Sequence, residues 1–261
     1  MHGLARPSSP NRGLVMSQLS QHPQHRLDHA PLPPRSNGAL TGALLDGIDG
    51  SITTDLRGLG RLAEFPAHAT VLSEGESART LFRIIDGKIM LSKLLPDGRR
   101  QIYEILGPDE VFGITPTSRY HSSAEALTPV RVMGYDRSVV DRSLPLKLLL
   151  VEQLKAQVCG LHDHALLLGR KSAVERVASF IFDLVPADAR QPNGHHPVPA
   201  GSGLVRVPMT RLEIADYLGL TLETVSRAFS QLKRDGVLAY DRADSLMQVN
   251  LRRLKPLTGT Y

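Results

Sequence analysis

Two short helical patterns separated by a glycine occur between residues 210 and 234. Thr210 lies three residues before Glu213, a spacing at which each side chain can bond the other residue's backbone N–H and cap the start of a helix. Gly219 follows the last apolar position, where a left-handed residue ends a helix at little cost. The pattern predicts a helix followed by a tight turn. The inward face of this helix would hold Leu212, Ile214, Ala215 and Leu218.

A second helix is predicted directly after this turn, with Thr221 as its cap. Val225, Phe229 and Leu232 follow at i, i+4 and i+7 and would pack inward. The residues left on the other faces are Glu223, Ser226, Arg227 and Gln231. Two such helices are typical of a helix-turn-helix unit, whose second helix enters the major groove of DNA. A plain amphipathic hairpin with a solvated polar face is the alternative.

The polar residues of the second helix match the chemistry of base edges. The Arg227 guanidinium can donate to O6 and N7 of guanine together, and the Glu223 carboxylate can accept from N4 of cytosine. The Ser226 hydroxyl can bond either a base or a phosphate. These three residues predict readout of a half-site that contains a G·C pair. The residues predicted to contact the DNA backbone are Thr210, Arg211, Thr221, Thr224, Lys233, Arg234 and Arg242.

The charge of the chain is compatible with a polyanionic partner. The formal net charge is +5 and the pI is about 9.5. From residue 200 onward there are nine Lys and Arg against six Asp and Glu, a local excess of three. This excess is moderate, so charge alone supports DNA binding only weakly.

The region from about residue 64 to residue 135 has a different pattern, with short segments that alternate apolar and polar residues. Turn sequences separate several of them, at Asp86-Gly87 and at Pro96-Asp97-Gly98. Many short strands with regular turns predict an antiparallel sandwich or barrel. The predicted strands cover residues 70–72, 81–85, 88–94, 100–106 and 130–135.

A long helix is predicted from Pro145 to about Leu168. Within it, a row of apolar residues steps by four, four, three, four and three, which is close to a heptad repeat. We call this row the dimer seam: it consists of Leu150, Leu154, Val158, Leu161, Ala165 and Leu168. The length of the row predicts pairing with a second copy in a parallel dimer. Burial against the chain's own N-terminal domain is the alternative.

A further helix is predicted at residues 172–184, ended by Pro186 and followed by a loop over residues 186–203. Beyond the helix-turn-helix unit, residues 237–240 and 246–251 flank a turn at residues 241–245. This arrangement predicts a β-hairpin that forms the wing of a winged helix.

The C-terminal motifs resemble those of the CRP/FNR family of bacterial transcription regulators, through residues 207–211, 213–221 and 223–227. The resemblance implies an α+β fold, with an N-terminal double-stranded β-helix sensor domain, a long dimerisation helix and a C-terminal winged helix-turn-helix domain. The predicted boundaries are a disordered leader at 1–38, the sensor-like domain at 39–144, the helix at 145–170 and the DNA-binding domain at 171–261. Residues 107–113 match the turns expected of the sensor domain.

The same resemblance implies a DNA site. In the FNR and FixK branch, the Glu-x-x-Ser-Arg pattern reads inverted repeats with TTGAT-like half-sites. The matching residues are Glu223, Ser226 and Arg227. The implied operator is TTGAT-N4-ATCAA, read by a homodimer. The protein is expected to be a regulator and not an enzyme, most simply an activator of genes for low-oxygen or nitrogen-oxide metabolism. An activator also contacts RNA polymerase, for which Tyr120 and His121 are candidate surface residues.

The sensor domain carries no signature of a known effector. Family members that bind cyclic nucleotides have a Gly-Glu pair and an Arg-Ser pair, which residues 112–126 lack, and Arg119 falls in the wrong register. Members with an iron–sulfur cluster need four cysteines, and this chain has one. The resemblance predicts a FixK-type regulator without a cofactor, controlled mainly through its amount or by modification. Haem-linked nitric oxide sensing is the alternative, with His68, His121, His162 and His164 as candidate ligands.

The remaining features of the sequence define its class. No run of about 18 apolar residues predicts a membrane span, and no secretory signal is present, so a cytoplasmic protein is expected.

Cys159 is expected to be a small buried hydrophobe, with a redox role as the alternative. No metal site is predicted, and the histidines of the leader are interpreted as part of a polar tail. A cupin that binds a small molecule is the rival from a different class, but its strands would need a His-x-His pair. His162 and His164 lie on the predicted helix instead.

Overall fold

The computed structural model describes residues 60–186, 202–240 and 246–259. The predicted leader and Arg242 lie outside these residues. The strands of the N-terminal domain are β1 (Gly60–Phe65), β2 (Thr70–Leu72), β3 (Thr80–Asp86), β4 (Ile89–Leu94), β5 (Arg100–Leu106), β6 (Val111–Phe112), β7 (Ser123–Ala126) and β8 (Val130–Asp136).

These strands form two antiparallel sheets, with orders β1-β8-β3-β6 and β2-β7-β4-β5. Val130 and Val132 of β8 point into the core between the sheets, with exposed Arg131 between them. Tyr135 lies on the opposite face of the strand and is buried beside Val140 and Leu146 of the helices that follow. Ile84 of β3 pairs with Val132, and both side chains are fully buried. The predicted sandwich is confirmed.

Three strands of the sandwich, β1, β6 and β7, were not predicted from the pattern, and two of them show why. The strand β6 has only two residues, and β7 buries two small alanines, Ala124 and Ala126, between polar neighbours. Neither gives a strong alternation of hydropathy. Their pairing is supplied by long-range neighbours, because β7 lies between β2 and β4 in its sheet.

Two helices follow the sandwich: α1 (Arg137–Arg142) and α2 (Leu144–Arg170). The Ser143 hydroxyl caps α2 by accepting a hydrogen bond from the backbone N–H of Leu146. The inward face of α2 is apolar at both ends, at Leu146 and Leu167, and polar between them. Gln157 donates from Nε2 to the backbone carbonyl of Val111 at 2.9 Å, and Gln153 is fully buried. These contacts fix one face of α2 on the sandwich and leave the opposite face to solvent.

The C-terminal domain contains the helices α3 (Ala173–Leu184), α4 (Arg211–Leu218), α5 (Leu222–Arg234) and α6 (Leu251–Leu257), with the strands β9 (Ser202–Arg206), β10 (Leu238–Ala239) and β11 (Leu246–Asn250). Its sheet has the order β10-β11-β9 and is antiparallel. The pairing of β10 with β11 confirms the predicted hairpin. The largest fully buried side chains of the domain core are Ile181, Ile214, Leu218, Phe229 and Leu232.

Three details of the C-terminal prediction are wrong. Leu212 is 55% exposed, because it lies two residues before buried Ile214 and so on the opposite side of α4. Leu251 does not extend the hairpin but begins α6, which the Asn250 side chain caps by accepting from the backbone N–H of Arg253. The segment predicted as a loop to residue 203 already forms strand at Ser202, because β9 pairs with β11. Among the described helices, none has both the length and the hydropathy needed to cross a membrane.

The turn between α4 and α5 gives a stability prediction. Gly219 has φ 60° and ψ 42°, in the left-handed region. We expect Gly219→Ala to destabilise the C-terminal domain by about 1–2 kcal/mol, because a Cβ is unfavourable in this conformation. The loss is due to the backbone, since an added Cβ would meet no atom closer than 3.5 Å. Urea unfolding followed by circular dichroism measures it.

Gly169→Ala is the matched control. Gly169 lies within α2, and a Cβ there would meet nothing within 4 Å. Alanine is favoured over glycine in a helix by about 0.5–1 kcal/mol, so this change should stabilise the protein. Equal effects of the two substitutions would contradict the assigned role of Gly219.

Candidate nucleic-acid interface

The first helix of the candidate interface is fixed at both ends by the predicted residues. The backbone N–H of Thr210 donates to Glu213 Oε2 at 2.7 Å, and the backbone N–H of Glu213 donates to Thr210 Oγ1 at 3.2 Å. This is the reciprocal capping box that the sequence predicts. Gly219 ends the helix in the left-handed conformation. The orientation of the following helix is thereby set by local chemistry.

The second helix, α5, presents the predicted base-reading residues to solvent. Thr221 caps it by accepting from the backbone N–H of Thr224 at 3.2 Å. Its inward row, which includes Val225 and Phe229, is buried in the domain core. The residues on the opposite side are exposed: Glu223, Ser226 and Arg227. These three positions, at i, i+3 and i+4, share one face of the helix.

The charge of Glu223 suits an acceptor role. Its own backbone N–H and the hydroxyl of Thr221 hold the pKa of the Glu223 carboxyl below its usual value, and the positive charge of Arg227 lowers it further. The carboxylate therefore stays ionised at neutral pH and offers only acceptor oxygens. Four residues along the helix, Arg227 offers only donors. The pair thus presents complementary groups to the two bases of a G·C pair.

The residues predicted to contact the DNA backbone differ in their surroundings. The Arg211 guanidinium lies 3.2 Å from the centroid of the Phe229 ring, and burial there lowers the pKa of Arg211. Lys233 donates from Nζ to the backbone carbonyl of Tyr240 at 2.8 Å. Arg234 is exposed in the last turn of α5. Arg211 is therefore held against an aromatic ring and Lys233 is held by a main-chain carbonyl, whereas the Arg234 side chain is exposed at the end of α5.

The predicted dimer seam is exposed in its centre and half-buried at its two ends. Leu154, Val158 and Leu161 are 40%, 49% and 40% exposed, and Ala165 is also exposed. Leu150 is half-buried against the sandwich, and Leu168 is half-buried against the C-terminal core. The alternative of burial against the chain's own N-terminal domain is wrong for the central residues, because polar side chains such as Gln153 occupy that inward face.

Two expectations about single residues are wrong. Cys159 is exposed, because it lies beside Val158 on the outward side of α2. Tyr120 is buried, with its hydroxyl donating to the Thr80 carbonyl at 2.7 Å, so it cannot serve as a contact surface. The neighbouring His121 is exposed.

The other singled-out residues of the sensor domain and α2 do not meet at one site. Arg119 donates from Nη1 to the Gly75 carbonyl at 2.7 Å on an exposed loop. His164 is buried with its ring 4.5 Å from the ring of Tyr217, and His162 is exposed. The two histidines therefore lie on different faces of α2, as their spacing predicts.

Sequence reasoning missed a polar contact between the two domains. Arg100 of β5 donates from Nε to Asp216 Oδ2 at 2.9 Å, and Gln101 donates to the Tyr217 carbonyl at 3.4 Å. Asp216 and Tyr217 belong to α4, the first helix of the DNA-binding unit. These partners are 116 residues apart in the chain. No local pattern could have identified them.

Comparison with known proteins supports the same two-domain organisation. The family described as the Crp-like helix-turn-helix domain matches residues 175–257, and the family described as the cyclic nucleotide-binding domain matches residues 62–144. The nitrogen fixation regulation protein FixK of Bradyrhizobium diazoefficiens is 34% identical over 203 residues, which cover 76% of this chain and 83% of FixK. The transcriptional activatory protein AadR of Rhodopseudomonas palustris is 38% identical over 172 residues, covering 64% of this chain and 69% of AadR.

A solved structure is similar to this chain over the same two domains. FixK2 from Bradyrhizobium japonicum is 33% identical to this chain and superposes with a TM-score of 0.63, over 77% of this chain and 98% of FixK2. The relatives are transcription regulators and not enzymes. Because the similarity extends over both domains and the helix between them, the chain belongs to the CRP/FNR family of transcription regulators, in its FixK-type branch.

Proposed function

We propose that this protein is a homodimeric activator that reads TTGAT-N4-ATCAA-like inverted repeats. The observation that carries the proposal is the exposed face of α5, where Glu223, Ser226 and Arg227 stand together. A base-reading face needs residues that are exposed, rigidly placed and chemically complementary to base edges. The buried row behind these three residues supplies the rigidity.

The two-fold symmetry of the operator requires two copies of this face. One recognition helix covers only one half-site, and the half-sites of an inverted repeat lie about one helical turn apart. The exposed centre of the dimer seam on α2 supports pairing of two chains along this helix. Each copy would then present one α5 to one half-site.

The proposed targets are genes for low-oxygen or nitrogen-oxide metabolism, and the proposed place of action is the cytoplasm. The name of FixK, a nitrogen fixation regulation protein, supports a role in nitrogen metabolism, and the name of AadR, a transcriptional activatory protein, supports activation. For an activator, contact with RNA polymerase is also proposed, and His121 remains the candidate for it. We propose control through the amount of protein or through modification, without a bound cyclic nucleotide, iron–sulfur cluster or haem.

A gel shift with the full-length protein tests the proposal. We expect specific retention of a TTGAT-N4-ATCAA duplex at moderate salt, with much weaker retention of a duplex of scrambled sequence. Affinity for both duplexes should fall as salt rises, because phosphate contacts release counterions. The ratio of the affinities for the two duplexes should change little with salt, because base contacts determine it.

Two results would decide against the proposal. Equal affinity for both duplexes at every salt concentration would rule out sequence-specific reading. Retention that depends on added haem, together with a haem absorbance band in the purified protein, would favour the nitric oxide sensor instead.

A further inference from the structure

Three metal-ligating side chains from three separate elements meet between the two domains. His68 lies in the turn between β1 and β2, Glu125 lies on β7, and Glu213 lies on α4. His68 Nδ1 is 3.6 Å from Glu125 Oε1 and 3.5 Å from Glu213 Oε1. The three ligand atoms all lie within 4.8 Å of one another. We call this group the interdomain triad.

The separations in the triad suit a shared cation better than hydrogen bonds. An N–H···O hydrogen bond is commonly about 2.9–3.0 Å long, which is shorter than either distance from His68 Nδ1. Two ligands that each lie about 2.0–2.1 Å from a tetrahedral zinc ion are about 3.4 Å apart. The two distances from His68 Nδ1 therefore match the separation of neighbouring ligands around one small ion.

The buried carboxylate of Glu213 is oriented toward this point. Its Oε2 accepts hydrogen bonds from the backbone N–H and the hydroxyl of Thr210, at 2.7 and 2.9 Å. Its Oε1 faces His68, and the side chain is only 7% exposed. Burying an ionised carboxylate oxygen is costly unless a positive group or donor is placed beside it. One oxygen of Glu213 thus has its donors, and the other is directed into the triad.

The two carboxylate oxygens of Glu125 also have different partners, as those of Glu213 do. Its Oε2 accepts from Arg100 Nη1 at 3.2 Å, and its Oε1 faces His68. Metal-binding carboxylates are often held like this, by hydrogen bonds on the side away from the metal. Arg100 and Thr210 would therefore serve as outer groups that orient the two acidic ligands.

The net negative charge of this group also favours a bound cation. Three carboxylates lie here, those of Glu125, Glu213 and Asp216, and the positive side chain that pairs with two of them is Arg100. The three carboxylates and Arg100 together carry two net negative charges. A single divalent ion would balance them.

We propose that the interdomain triad binds a divalent transition-metal ion of the zinc class. Imidazole nitrogen combined with carboxylate oxygen is a ligand set that zinc accepts, and a water molecule would complete a four-coordinate site. The sensor domain supplies His68 and Glu125, and the DNA-binding domain supplies Glu213. Because Glu213 also caps α4, the ion couples the position of the first helix of the reading unit to the sensor domain.

The test uses the full-length protein, stripped with a chelator and titrated with Co²⁺ and with Zn²⁺. Co²⁺ in a tetrahedral site absorbs visible light, so it reports geometry as well as binding. We expect one tight site per chain. His68→Gln and Glu125→Gln should each weaken this site at least about tenfold, because each removes a ligand. His121→Gln, which changes an exposed histidine of the same domain outside the triad, should leave it unchanged.

Thermal unfolding provides a second readout. Saturating Zn²⁺ should raise the midpoint of the wild type and of His121→Gln by about 5 °C, and that of His68→Gln by much less. Circular dichroism at room temperature checks that each variant is folded, and the gel shift in chelator checks DNA binding separately. Failure of DNA binding would therefore be distinguished from failure of metal binding.

The proposal is overturned if His68→Gln and His121→Gln bind Co²⁺ with the same affinity and spectrum. It is also overturned if saturating Zn²⁺ leaves the midpoint of the wild type unchanged.

Discussion

Replacing Leu154 and Val158 together with aspartate should convert the protein to a monomer and weaken operator binding at least about 100-fold. The two side chains are 40% and 49% exposed in the single chain and lie in the centre of the dimer seam. In a parallel pair, each aspartate would face its copy, and burying unpaired like charges is strongly unfavourable. The affinity falls because binding of the second half-site is then no longer intramolecular. Analytical ultracentrifugation and the gel shift measure the two effects.

Leu166→Asp is the matched control for the dimer seam. Leu166 is 61% exposed on the same helix but lies outside the seam, so the same change of chemistry should leave the protein dimeric. If the variant with aspartate at both Leu154 and Val158 stays dimeric, the dimer seam is not the dimer interface. A monomer that retains full operator affinity would disprove the need for two reading helices.

Arg227→Ala should weaken operator binding by about 1–3 kcal/mol, or about 5- to 150-fold. The physical reason is the loss of two hydrogen bonds from one guanidinium to O6 and N7 of a guanine. The loss should therefore be confined to duplexes that contain this G·C pair. On a duplex in which A·T replaces the pair, the wild type and the variant should bind with similar affinity. Fluorescence anisotropy titrations with the two duplexes measure the difference.

Two further variants separate base reading from charge. Arg227→Lys keeps the charge but loses the fork of donors, so it should recover only part of the discrimination. Arg234→Ala removes an exposed charge from the last turn of α5, and it should weaken binding about equally on all sequences. If Arg227→Ala behaves like Arg234→Ala, then Arg227 contacts a phosphate and not a base.

The contact between the domains joins the proposed reading face to the sensor. Arg100 and Gln101 of β5 bond to Asp216 and Tyr217 of α4, and the interdomain triad lies beside them. Any change that moves the sensor relative to α4 would alter the placement of α5. We propose this contact as the route that couples the N-terminal domain to the helix-turn-helix unit.

Much of the reading unit could be predicted because its signals are local. The cap at Thr210, the left-handed turn at Gly219 and the inward row of α5 all depend on residues within one or two helical turns of each other. The strands β6 and β7 could not be predicted in this way, since their short or small-residue segments are stabilised by neighbours distant in the sequence. The helix α2 was predicted, but only the structure decided between the two interpretations of its apolar row, because Gln157 faces the sandwich and the centre of the dimer seam is exposed.

The sequence by itself determined the helix-turn-helix unit, the sandwich and the family, because capping, periodicity and motif spacing act over short stretches of chain. Only the tertiary structure decided which side of α2 is exposed, that Cys159 lies at the surface and that Tyr120 does not. Only the tertiary structure also brought His68, Glu125 and Glu213 together. The reason is that these features depend on packing between segments about 40–150 residues apart, and the energy of such packing leaves no periodic trace in the sequence.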